Sequence, residues 1–82
     1  MKIKFKLKVD IVARIAANLA FELNKAREAF ILKDESCLNG KSLIGILSSK
    51  LRQGDIITIK GENENDINII KKAFEDLGEV ID

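Results

Sequence analysis

Lys2-Ile3-Lys4-Phe5-Lys6-Leu7-Lys8-Val9 alternates strictly between lysine and apolar side chains. Because successive side chains of a strand point to opposite faces of a sheet, this stretch predicts a strand with one apolar face and one lysine face. The apolar face has to be covered by other parts of the chain, whereas the lysine face is suited to solvent. The stretch therefore predicts a sheet that is packed on one side and open on the other.

The segments that follow show alternating helix and strand patterns. Apolar residues spaced by three and four predict a helix that begins at residue 11 or 13 and ends near 26, with Asp10 as its N-cap. A short apolar run predicts a buried strand at 29–33, which a hairpin through 34–36 joins to the next strand. A β-branched run predicts a further strand at 56–60.

Two more helices are predicted from their capping residues. Ser42 is the expected N-cap of a short helix at 43–50, which is apolar nearly all round. Asn65 or Asp66 is the expected N-cap of the last helix, and Gly78 is the expected stop at its C-terminal end.

This order of elements, β-α-β-β-α-β-α, predicts one small α+β domain over residues 1–82. The expected architecture is an open-faced β-sandwich, in which a four-stranded antiparallel sheet is covered on one face by three helices. The lysine stripe then lies on the open face. The expected core contains Phe5, Leu19, Ile31, Ile57, Ile70 and Phe74.

The composition excludes several classes of chemistry. The 82 residues include no histidine, so histidine bases, histidine metal sites and phosphohistidine are all excluded. The single cysteine, Cys37, has no partner for an internal disulfide, and we expect it to be a small core residue. We predict no metal site, no cofactor and no catalytic residue.

The composition also bears on location and on non-protein partners. No apolar run approaches the about 20 residues of a membrane span, and no export signal is present, so we expect a cytoplasmic protein without membrane insertion. Aromatic residues are limited to four Phe, which argues against nucleic acid as a partner. The lysine stripe allows binding to nucleic acid or anionic lipid, but a solvated face that prevents aggregation is the favoured interpretation.

The stretch Asn39-Gly40-Lys41-Ser42-Leu43-Ile44-Gly45-Ile46-Leu47 resembles the N-G-K-S signature of the HPr phosphocarrier family of the bacterial phosphotransferase system. Leu51-Arg52-Gln53-Gly54-Asp55, followed by Ile57-Thr58-Ile59, is similar to that family as well. Together with the order of elements, the resemblance covers essentially the whole chain. It implies the HPr fold and a role in the phosphotransferase system.

A second family signature is altered. Family members carry G-L-H-A-R-P-A where this chain reads Asp10-Ile11-Val12-Ala13-Arg14-Ile15-Ala16. The resemblance places Val12 at the position of the phosphorylated histidine. Arg14 keeps the family's arginine and is a candidate for binding an anion, although a structural or solvated arginine is the favoured interpretation. We expect Asp10 to cap the helix amides and to repel phosphate.

Ser42 and its neighbours are the remaining candidates. The resemblance implies that Ser42 is phosphorylated by a dedicated kinase, whereas a plain helix cap also explains a serine there. It further implies that Leu43, Ile44 and Leu47 form an exposed docking patch, for which core packing is the alternative.

These observations predict a non-enzymatic, regulatory or protein-interaction member of the HPr family. Its expected partners are an HPr kinase, a transcriptional regulator or phosphotransferase-system enzymes. One alternative is a phosphocarrier that uses an unusual acceptor, either Ser42 or Asp10. Another is a purely structural interaction subunit.

Overall fold

The computed structural model describes residues 1–81, and its first strand follows the predicted alternation. Ile3, Phe5 and Leu7 are buried in this strand, whereas the lysines between them are exposed. The strands are β1 (Lys2–Leu7), β2 (Phe30–Lys33), β3 (Ser36–Asn39), β4 (Ile56–Lys60) and β5 (Gly78–Val80), and the helices are α1 (Ala13–Leu23), α2 (Leu43–Ser48) and α3 (Glu64–Phe74).

The strands form one antiparallel sheet in the order β3-β2-β4-β1-β5. The predicted α+β class with three helices is confirmed, but the sheet has five strands instead of four. The additional strand begins at Gly78, which was expected to end the last helix. That helix already ends at Phe74, and Gly78 lies against β1, where a Cβ atom would be only 2.8 Å from the Lys6 carbonyl oxygen. The glycine therefore permits close approach of two strands.

The core lies between the covered face of the sheet and the helices. All six predicted core residues are buried, and the rings of Phe5 and Phe74 stack with their centroids 5.1 Å apart. Each of these two side chains buries a large apolar surface, and their contact joins β1 to α3. Cys37 was expected in this core but is exposed, because it lies on the edge strand β3 opposite Leu32.

The start of α3 also differs from the prediction. Asn63 is its N-cap, and the Asn63 side chain accepts a hydrogen bond of 2.9 Å from the Asp66 backbone N–H. Asp66 points its carboxylate into the protein, where it is fully buried and accepts hydrogen bonds from the backbone N–H groups of Arg27, Glu28 and Glu62. Asp66 therefore joins the segment after α1 to the segment before α3.

Candidate functional site

The N-terminus of α1 is the position at which the family resemblance locates phosphotransfer. Val12 is the N-cap residue, its side chain is 55% exposed, and it makes no side-chain hydrogen bond to the first turn. Because the first amide groups of a helix have no partner within the helix, this end of α1 carries uncompensated donors and the positive end of the helix dipole.

Asp10 does not cap these amides, so that expectation is wrong. Its carboxylate instead accepts a hydrogen bond of 2.8 Å from the backbone N–H of Gln53, which lies 43 residues further along the chain. Asp10 thus fastens the segment before α1 to the turn before β4. The carboxylate is exposed and still lies close to Val12, so it places a negative charge beside the helix end.

Val12 lies in a shallow groove between α1 and the C-terminal end of α2, which we call the α1–α2 groove. This groove is lined by Asp10, Ile11, Val12, Leu47, Lys50, Leu51 and Arg52. Two cations, Lys50 and Arg52, therefore lie near the helix end, and both come from a segment far from it in sequence. Leu47 brings an apolar side chain of α2 to the same place.

Arg14, the residue proposed for anion binding, does not line this groove. It is exposed and lies in a second groove between α1 and the end of α3, together with Glu75 and Asp76. The two carboxylates lower the positive potential around Arg14. Its anion-binding role stays a prediction.

A network of polar contacts holds the segment that supplies the groove cations. Lys50 has a φ of 52°, a left-handed conformation that costs an L residue about 1–2 kcal/mol. Its carbonyl oxygen accepts a hydrogen bond of 3.4 Å from Lys33, which also forms an ion pair of 2.9 Å with Asp55. The hydrogen bond from Lys33, followed by that from the Arg52 backbone N–H, lowers the pKa of Asp55. These contacts keep Lys50 and Arg52 beside the helix end.

Ser42 is the N-cap of α2, as predicted. Its hydroxyl oxygen accepts a hydrogen bond of 3.1 Å from the Gly45 backbone N–H, and the residue is half-buried. Lys41, the nearest cation in sequence, donates a hydrogen bond of 2.9 Å to the Arg27 carbonyl oxygen. The ammonium group keeps two further N–H donors, so a phosphate on Ser42 can pair with Lys41 where these donors reach it.

The α2 patch consists of Leu43, Ile44 and Leu47, which are 40%, 77% and 39% exposed. Ile46 on the opposite side of the helix is fully buried and holds α2 on the core. Val12 borders this patch through the groove that it shares with Leu47. The structure thus brings a residue of the altered signature and a residue of the intact one to the same groove.

Two further features of the described residues bear on function. No group of three or more cysteine and acidic side chains in residues 1–81 is arranged to hold a metal ion. None of the helices within this range is long and apolar enough to cross a membrane.

Sequence reasoning overlooked Phe21, an exposed apolar residue of α1 whose ring lies 5.5 Å from the Lys25 ammonium group.

The fold is thus a small open-faced sandwich in which the N-terminus of α1 is exposed beside the short apolar helix α2. The model of the PTS-HPr family, described as the PTS HPr component phosphorylation site, matches residues 1–82. The chain therefore belongs to the HPr family of the phosphotransferase system.

Individual relatives agree with this assignment. The chain is 35% identical to the HPr-like protein Crh of Halalkalibacterium halodurans, with 79% of each chain covered. It is 39% identical to the phosphocarrier protein HPr of Mycoplasma pneumoniae, with 82% of each chain covered. Among solved structures, a histidine-containing phosphocarrier protein of Mycoplasma superposes with a TM-score of 0.83 at 28% identity, over 93% of both chains. In contrast to a histidine-containing carrier, this chain has no histidine.

Proposed function

We propose that this chain acts as a regulatory, protein-interaction member of the HPr family, a single domain over residues 1–82 without the phosphohistidine step. The observation that carries the proposal is Val12, which is exposed at the N-terminus of α1 in a chain that contains no histidine. A phosphoryl carrier needs a nucleophile that takes the group and releases it again, as imidazole does near neutral pH. A valine side chain has no lone pair to do so.

The α2 patch supports a role in protein binding. Ile46 is the fully buried residue of α2, whereas Leu43, Ile44 and Leu47 leave apolar surface exposed to solvent. Val12 extends this surface across the α1–α2 groove. We assign the patch to an HPr kinase, a transcriptional regulator or a phosphotransferase-system enzyme, and we place the interaction in the cytoplasm.

Ser42 is the proposed switch of this surface. A phosphate would add about −1.5 to −2 charges directly beside Leu43 and Ile44. The first backbone N–H groups of α2 can donate hydrogen bonds to the phosphate oxygens in place of the present bond from the Gly45 N–H to the Ser42 hydroxyl. The modification therefore changes the partner surface while the fold is kept.

Asp10 favours a second candidate function. Its carboxylate is exposed and lines the same groove as Val12 and the two cations Lys50 and Arg52. A carboxylate is able to take a phosphoryl group as an acyl phosphate. In this alternative the chain is a phosphocarrier with an unusual acceptor.

Incubation with enzyme I and labelled phosphoenolpyruvate distinguishes the two functions. The regulatory proposal requires that the wild type stays unlabelled under conditions in which a histidine-containing HPr is labelled. Label on the wild type that is lost in Asp10→Asn would refute the proposal and establish the alternative. Asp10→Asn is a suitable control because an amide oxygen still accepts the hydrogen bond from the Gln53 N–H.

The switch is tested with an HPr kinase and labelled ATP. We expect one phosphate on the wild type and none on Ser42→Ala, with Ser48→Ala as a matched control that is labelled like the wild type. Binding of a transcriptional regulator should then change between the two phosphorylation states and be lost in Ile44→Glu. If label appears on Ser48 or Ser49 instead, Ser42 is a helix cap and not a switch. If Ile44→Glu binds like the wild type, the patch has no docking role.

A further inference from the structure

The uncovered face of the sheet carries a row of cations that extends beyond β1. Lys2, Lys4 and Lys6 point away from the helices, and Lys60 of β4 lies directly opposite Lys2. Alternate residues of a strand are about 6.8 Å apart, so these four exposed lysines occupy a compact area. We refer to Lys2, Lys4, Lys6 and Lys60 as the sheet-face lysines.

Apolar side chains lie among these lysines. Ile56 is 55% exposed and pairs with Lys6 across β1 and β4. Phe30 on β2 pairs with Lys60, and this pairing places the Phe30 ring on the same face. The residue is half-buried. Ile81, which is 39% exposed, donates its backbone N–H to the Lys4 carbonyl oxygen. These side chains give the row of lysines an apolar border.

The described residues offset only part of the positive charge of this face. Its acidic residue is Glu79, which lies opposite Lys6. None of the sheet-face lysines forms an ion pair with any part of the chain that the structure describes. Two copies stacked face to face would bring lysines against lysines, so a second copy is a poor occupant. The excess of positive charge on this face therefore favours an anionic partner.

The residue types discriminate among anionic partners. Protein interfaces are rich in arginine and aromatic residues and poor in lysine, whereas the charged groups here are lysines without arginine. Single-stranded nucleic acid needs several aromatic rings for stacking, and this face has only Phe30 among the described residues. Lysine ammonium groups act as point charges without a required geometry, which suits a diffuse negative surface with aliphatic side chains at its boundary.

We propose that the open sheet face binds reversibly to the surface of an anionic lipid bilayer, with the sheet-face lysines against the head groups and Ile56 and Ile81 at the acyl boundary. This inference does not depend on the proposed function, because it uses the opposite side of the molecule. Since the helices cover the other face, a bound molecule presents the α2 patch and Ser42 to the aqueous phase. A membrane-bound chain thus remains accessible to a protein partner.

Co-sedimentation with vesicles tests the proposal. The wild type should bind vesicles of phosphatidylserine and phosphatidylcholine in equal parts, and not vesicles of phosphatidylcholine alone. Each lysine near an anionic surface changes the affinity about fivefold, so Lys4→Gln/Lys6→Gln/Lys60→Gln should weaken binding about a hundredfold. Binding should also fall as ionic strength rises to about 0.15 M.

The matched control is Lys25→Gln/Lys71→Gln/Lys72→Gln, which removes the same charge from exposed positions on α3 and just after α1. This control should bind phosphatidylserine vesicles within a few-fold of the wild type, and thermal unfolding of both triple variants verifies that they fold. Equal loss of binding in the two triple variants would reduce the effect to net charge and overturn the proposal. So would absence of wild-type binding at low salt, or tighter binding of oligothymidylate or polyglutamate than of the vesicles.

Discussion

Replacement of Asp66 is expected to be the most destabilising single change of a charged residue in this protein. The carboxylate is fully buried and accepts three backbone N–H groups, from Arg27 at 2.8 Å, Glu28 at 3.1 Å and Glu62 at 2.9 Å. A buried donor left without an acceptor costs about 1–3 kcal/mol, and these three are partly buried. We therefore expect Asp66→Ala to lower the free energy of unfolding by about 3–5 kcal/mol. A chain of this length has about 4–12 kcal/mol in total.

The same residue gives the stability a defined pH dependence. Burial alone would raise the pKa of Asp66, but the hydrogen bonds from the three backbone N–H groups outweigh it, so the pKa lies below its ordinary value. The folded state therefore favours the ionised form. The corresponding stabilisation is complete above the unfolded pKa of about 3.9 and is lost as the pH falls below that value towards the folded pKa.

Urea unfolding followed by circular dichroism measures both effects, because the chain has neither tryptophan nor tyrosine to report by fluorescence. Asp66→Asn should be destabilised at neutral pH and should approach the wild type at low pH. Asp10→Asn is the control, since Asp10 also accepts a backbone N–H from a distant segment but is exposed, and its replacement should cost about 0–1 kcal/mol. Parallel stability profiles of the wild type and Asp66→Asn from neutral to acidic pH would refute the reasoning.

Three further outcomes are expected. Phe74→Ala should lower the free energy of unfolding by about 3–5 kcal/mol through the cavity left against the Phe5 ring, and a urea-derived loss below about 1 kcal/mol would contradict that packing. Gly40→Ala should be strongly destabilising in the same assay, because a Cβ there would lie 2.8 Å from the Ala29 carbonyl oxygen, whereas Gly45→Ala meets ordinary contacts of 3.4 Å and should be neutral or stabilising. Val12→His should accept little phosphate from enzyme I while the Asp10 charge remains beside it, and labelling should increase when Asp10→Asn is added; efficient labelling of the single variant would contradict this.

Much of the fold was predictable because its signals are local. The alternation in residues 2–9 defined the buried and open faces of β1, and apolar spacing together with capping residues located the three helices. The N-cap role of Ser42 followed from a turn immediately before an apolar run. Boundaries were less predictable: α1 ends at Leu23 instead of near 26, because end positions depend on contacts made after the chain leaves the helix.

The candidate site was predictable only in part. The absence of histidine and the identity of Val12 are properties of the sequence and need no coordinates. The surroundings of Val12 could not be predicted from the sequence, because Lys50 and Arg52 approach it from a distant segment. Arg14, only two residues from Val12, lines another groove. Asp10 illustrates the same limit. Its position before a helix predicts an N-cap, but its carboxylate binds the distant Gln53 N–H instead.

The sequence by itself therefore determined which residue types are available, which faces of each element are apolar and which chemistry is impossible without histidine. Only the tertiary structure decided that Asp10 binds the Gln53 N–H and that Gly78 begins a fifth strand. It also decided that Asp66 is buried and accepts hydrogen bonds from three backbone N–H groups. The physical reason is the same in each case. Periodicity and capping act between residues a few positions apart. In contrast, the contact of Asp10, the bonds that Asp66 accepts from the segment after α1 and the pairing of β1 with β5 join segments 38 or more residues apart. Their partners exist only once the sheet and helices have packed together.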